Sequence, residues 1–212
     1  MAKRYRYAFV KKQEARKGKL STGLAAASLV LFLAAVMLAC VFDGKMGYIV
    51  GGNVKHKGCC HDVMKVLNST TQFAIGVIDE DKRQPTIDPG FVKYEFRSSY
   101  NKTHISFYPH NDGKRFLFKV YKAMDQFVWD AAREMGASLR DIGYPADEKG
   151  FRKVTKSEDA AENPKLRRLF VQIKDYPELV AFRNTIRYLI NTKYEADVET
   201  AKRFFDGRLT AE

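Results

Sequence analysis

One feature constrains this chain more than any other. Leu20 to Phe42 runs for 23 residues without a charge. At about 1.5 Å per residue a helix of that length reaches roughly 34 Å, enough to cross a hydrocarbon layer of about 30 Å. A helix in a water-soluble core seldom stays uncharged for so long. The run therefore predicts a transmembrane helix over residues 21–42.

What precedes the run fits a membrane. Residues 1–22 carry eight bases (Lys3, Arg4, Arg6, Lys11, Lys12, Arg16, Lys17 and Lys19) and one acid, Glu14. That segment holds +7 of the chain's formal charge of +12, so the basic character is mostly local and argues little for nucleic-acid binding by the remainder. By the positive-inside rule the N-terminus stays in the cytoplasm. A single-pass protein with a bilayer as partner and an extracytoplasmic domain is the expectation. A cleaved signal peptide and a lipoprotein signal ending at Cys40 are the two competing versions.

The rest of the chain divides by pattern. Residues 1–20 form a basic segment, and 43–58 form a glycine-rich linker around a first strand at Tyr48-Ile49-Val50. Residues 59–212 form a soluble domain of class α/β, a small mixed β-sheet with a helical C-terminal half. Cys60–Leu67 reads as a helix. Phe73–Ile78 is a continuous apolar run, as in strands covered on both faces. Phe91–Arg97 alternates, with Val92, Tyr94 and Phe96 predicted on one face. Thr103–Tyr108 and Arg115–Tyr121 are further strands, with a turn at Asn111-Asp112-Gly113. Met124, Phe127, Val128, Ala131 and Met135 make an apolar helical stripe, as do Leu166, Leu169, Phe170 and Ile173. Leu179, Phe182, Ile186 and Leu189 follow Pro177 at a favoured first-turn position, and Val198, Ala201 and Phe205 close the series. The charged stretch Asp147–Glu162 reads as a loop. Three cysteines in 212 residues exclude a disulfide scaffold.

The most chemically loaded motif is IGVIDEDKR, in which a buried strand ends in Asp79 and Asp81. Ligands of α/β sheets bind at the carboxyl ends of strands. Carboxylates are the hard oxygen donors that divalent cations take. Asp125 follows the second apolar strand by a few residues. If the two strands are neighbours, Asp79, Asp81 and Asp125 converge on a magnesium or manganese site. The plain alternative is turn and cap residues. His56, Cys59, Cys60 and His61 are soft ligands in a short span, but their spacing is poor for zinc. Lys149, Arg152, Lys153 and Lys156, with Arg167 and Arg168, are interleaved with acids and read as a solvated surface of mixed charge rather than a phosphate track.

Asp79 and Asp81 match the D-x-D motif of the Toprim-like superfamily, which this chain resembles over roughly residues 48–130. Asp125 stands where some relatives carry a Glu ahead of a tryptophan-containing helix, here marked by Trp129. The resemblance implies metal-dependent phosphoryl transfer on nucleic acid or nucleotides. The family's catalytic Glu at the end of its first strand is replaced by Gly51. Separately, RYRYAFVKK, KGKLST and SLVLFLAAVML make residues 1–50 similar to the start of a family of uncharacterised membrane proteins of Gram-positive bacteria. Two functions are thus expected. The first is a membrane-held, non-catalytic interaction module with a protein partner. The alternative is the Toprim-like enzyme, with nucleic acid as partner if the domain is cytoplasmic.

Overall fold

The computed structural model describes residues 38–40, 55–56, 59–80, 84–95, 104–157 and 163–210; of these, 38–40, 55–56 and 156–157 are described by their backbone alone. The described strands are β1 (Leu38–Cys40), β2 (Lys55–His56), β3 (Ala74–Asp79), β4 (Ile105–Pro109) and β5 (Arg115–Val120). The helices are α1 (Cys60–Ser69), α2 (Met124–Glu134), α3 (Leu139–Ile142), α4 (Glu148–Ser157), α5 (Pro164–Gln172), α6 (Pro177–Thr192) and α7 (Val198–Phe205). The sheet order is β2-β1-β3-β5-β4. β1 runs parallel to both β2 and β3, β3 runs parallel to β5, and β4 closes the edge antiparallel to β5.

The apolar run at 73–78 becomes β3, which is paired on both sides and covered on both faces. Ala74 and Ile78 pack with Leu117 against Val63, Met64 and Leu67 of α1. Ile75 and Val77 face the larger core, with Phe116, Phe118, Phe127, Phe182 and Phe205. That alternation is the pleat of a strand with two buried faces. Gly76 lies on the α1 side. A Cβ there would overlap Leu67 Cδ1 and stand 3.0 Å from Val63 Cγ1, so the absent side chain is what lets the helix close on the strand.

Four expectations are corrected. The transmembrane helix over 21–42 is overturned at its C-terminal end, where Leu38–Cys40 is a strand paired with Ile75–Val77. Among the described residues no helix is long and apolar enough to cross a membrane. The physical reason is an ambiguity of composition: an uncharged apolar run suits a strand buried in a parallel sheet as well as it suits a bilayer. The single-pass membrane localisation and the orientation drawn from the basic flank fall with it. Of residues 1–50, Leu38–Cys40 supplies β1. The others, like the strand expected at 48–50 and Gly51, lie outside the described residues.

The second correction concerns 147–162, where α4 replaces much of the expected loop. Asp147 Oδ1 accepts the Gly150 N–H at 2.8 Å, and Phe151 is fully buried against Trp129 and Tyr144. With half-buried Val154 and buried Thr155 on the same side, this narrow stripe suffices among many charges. The third is the face of the 91–95 segment: Phe91 is buried, whereas Val92 is 54% exposed. The segment runs antiparallel beside β4, joined by isolated bridges from Phe91 to His110 and from Tyr94 to Phe107. The fourth is the reach of the stripe on α2, since Met135 is 39% exposed beyond the helix end.

Gly76 provides a direct check on the fold. Gly76→Ala should destabilise the domain by about 1–3 kcal/mol through overpacking against Leu67 and Val63. Urea unfolding measures it, and an unchanged or raised midpoint would contradict the close approach of α1 to β3.

Candidate functional site

β3 and β5 are neighbours along their whole length, with Asp79 opposite Val120. The condition for convergence of the predicted acids is therefore met in the sheet. Asp79 ends β3, and its Oδ1 accepts the N–H of Met124, the first residue of α2, at 3.0 Å. Ala123, at the N-cap of α2, has no side chain able to cap. The neighbouring strand supplies the missing acceptor, satisfying one of the helix's unpaired N–H groups. Asp125 is buried in the first turn of the same helix, where a negative charge is favoured by the helix dipole. Asp79 and Asp125 thus meet at one helix end. Asp81 lies outside the described residues.

Glu80, between the two predicted ligands, is turned to other work. Its N–H donates to Val120 O at 2.8 Å, and its carboxylate pairs with Lys119 at 3.2 Å. Among the described residues no three His, Cys, Asp or Glu side chains are grouped to hold a metal ion. The cysteine cluster divides likewise. Cys60 is buried with its Sγ 3.5 Å from His61 Nδ1, whereas Cys59 is exposed and its thiol donates to Asp62 at 3.4 Å. On α4, Arg152 pairs with Glu148 at 3.5 Å, the one acid on a helix that also carries Lys149, Lys153 and Lys156.

Two histidine clusters escaped sequence reasoning. His104, just before β4, is buried between two carboxylates. Its Nδ1 lies 2.9 Å from Glu178 Oε2 on α6, and its Nε2 lies 3.2 Å from Asp130 Oδ2 on α2. Glu178 Oε1 also accepts the backbone N–H groups of His104 at 2.5 Å and Ile105 at 2.8 Å. Both ring nitrogens face acceptors, so the ring satisfies both only as the doubly protonated imidazolium. The Glu178 hydrogen bond raises the His104 pKa; burial opposes this, and the Asp130 contact adds to the rise. No local motif announces this group, because its partners lie 26 and 74 residues away.

The second cluster closes the β4–β5 hairpin. Arg115 donates from Nε to Asp112 Oδ2 at 2.6 Å and from Nη1 to Leu67 O at 2.9 Å. His110 Nδ1 stands 3.0 Å from Asp112 Oδ1. Burial pushes the Asp112 carboxyl up, but hydrogen bonds from Lys114 and Arg115 outweigh it and hold the group at about 2. The turn signal Asn111-Asp112-Gly113 marked this place, though not its role as the anchor of a buried arginine.

Beside His110 opens a cleft of about 730 Å³ between the 92–95 segment and α7. Tyr94 OH donates to Asp206 Oδ2 at 2.8 Å across its floor, and the Lys202 ammonium sits 5.4 Å from the Tyr94 ring centre. Three ion pairs line it: Lys93–Glu95 at 3.6 Å, Lys202–Glu199 at 2.6 Å and Arg208–Asp206 at 3.4 Å. Cations in this cleft are therefore largely matched by acids.

The two clusters predict opposite pH dependences. His104 has a raised folded pKa, so its stabilisation is complete below about 6.5 and is lost as pH rises through the folded value. Asp112 has a lowered one, so its stabilisation is complete above 3.8 and is lost as pH falls through about 2. Urea unfolding of wild type and His104→Gln across neutral to alkaline pH checks the first. Equal slopes in the two proteins would contradict it. Acid unfolding of wild type and Asp112→Asn checks the second, with the variant expected to lose less stability on acidification. Comparison of the chain with family models, with curated proteins and with solved structures found no match.

Proposed function

We propose that the described domain is a non-catalytic interaction module for a protein partner. The observation that carries this reading is the hydrogen bond from Met124 N–H to Asp79 Oδ1. A carboxylate committed to a helix end supports the fold in the same place where a phosphoryl-transfer enzyme would need it for a cation. Asp125 supports the reading as well, being buried in that first turn. Trp129, which strengthens the Toprim-like resemblance, is buried against Phe151 as an ordinary core residue. The matched charges of the cleft speak for a protein surface over a phosphate backbone, which would call for unbalanced cations.

The Toprim-like enzyme remains the competing proposal, because Asp79 and Asp125 do lie at the carboxyl end of neighbouring parallel strands. Thermal unfolding of the full chain with and without millimolar magnesium or manganese separates the two. An interaction module predicts an unchanged midpoint, and Asp79→Ala should cost about 0.5–2 kcal/mol whether or not metal is present. A midpoint raised by the ion, and no longer raised in Asp79→Asn, would overturn the module in favour of a metal-binding domain, since an ion that binds only the folded state stabilises it by mass action.

A further inference from the structure

The sheet ends in an edge whose main chain and charges complement themselves. The 91–95 segment lies outside β4, and its even-numbered residues turn inward: Val92 N–H donates to Pro109 O at 3.1 Å and Tyr94 N–H to Phe107 O at 2.8 Å. Successive residues of a strand direct their main-chain groups to opposite sides. The peptide groups of Lys93 and Glu95 therefore face away from the sheet, and among the described residues no backbone hydrogen bond reaches their N–H groups. Their side chains are 49% and 81% exposed, and Val92 presents apolar surface in the same segment.

An uncovered strand edge invites pairing with another strand. The geometry points to a second copy of this chain as the occupant, joined edge to edge through antiparallel 93–95 segments about a two-fold axis at Tyr94. Symmetry and main-chain direction leave few registers. A two-fold axis at Lys93 sets Lys93 opposite its own copy, and one at Glu95 sets two glutamates opposite each other. Both place like charges in direct cross-strand contact, which destabilises a pair. With the axis at Tyr94, Lys93 of each protomer faces Glu95 of the other. Each such pair exchanges both of its N–H···O bonds, so the outward peptide groups and the charges are satisfied in one register. The contact is isologous, as closed two-fold dimers require. It is also short, well below the area of a standard stable interface, so the dimer forms at micromolar to millimolar concentration. This inference does not rest on the proposed function, since a binding module or an enzyme can dimerise through such an edge.

The test is sedimentation equilibrium of the full chain over that concentration range, with Lys93→Glu, Glu95→Lys and the double exchange K93E/E95K. Both residues are exposed and outside the core, so the variants keep the fold, and circular dichroism verifies this. Wild type should move from monomer to twice the monomer mass as concentration rises. Each single variant should weaken association by about tenfold or more, because both cross-strand pairs become like-charged. The double exchange should restore it, since opposite charges again face each other. Amide exchange at Lys93 and Glu95 should slow as the dimer fills. A chain monomeric throughout would overturn the proposal, as would a dimer indifferent to the single charge reversals.

Discussion

Everything described in this protein is arranged around β3. It pairs with β1 on one side and β5 on the other, and it separates the core under α1 from the core under the C-terminal helices. Six residues in unbroken register with β5 fix where both strands end. The last of them, Asp79, then fixes where α2 begins. The placement of α2 in turn sets Asp130 against His104, and His104 draws the first turn of α6 onto the start of β4. A chain of polar contacts thus runs from the central strand to the outer helix, each one satisfying groups that burial would otherwise leave unpaired.

Much of this was legible from residue pattern. The continuous apolar run at 73–78 and the runs at 105–108 and 115–120 mark the three described strands longest in register, and the stripes of α2, α5, α6 and α7 follow a period of 3.6 residues. Periodicity reports burial by one face or two, and in these elements burial decides. It fails where different environments demand the same composition. Leu38–Cys40 belongs to a run as apolar as a membrane span, and only the pairing of its backbone with Ile75–Val77 distinguishes a sheet from a bilayer. α4 was missed for the converse reason, since charges dominate its sequence while Phe151 and its few neighbours supply the burial.

Of the candidate site, the adjacency of the strand ending in Asp79 and the strand before α2 was legible, and the role of Asp79 was not. Asp79 and Asp125 are brought to one place, as strand order suggested, but the Met124 N–H gives the first of them a structural task that no spacing reveals. The histidines were illegible for a different reason. His104 acquires its meaning from Asp130 and Glu178, and His110 from a hairpin and a buried arginine. Titratable clusters assembled across elements leave no trace in a local window, because each member alone is an ordinary polar residue.

The contact between Tyr94 and Asp206 spans 112 residues, and Phe205 beside it packs on Phe107 of β4 and Phe118 of β5. On a ribosome, which delivers the chain from its N-terminus, the strands and α1 emerge well before the residues that seal them. Phe107 and Phe118 stay without their last covering ring until α7 has left the exit tunnel. Between the synthesis of β5 and that of α7 the nascent domain consequently carries an aromatic face of the sheet open, and the closing of that face is timed by the release of α7 and not by the formation of the central strand.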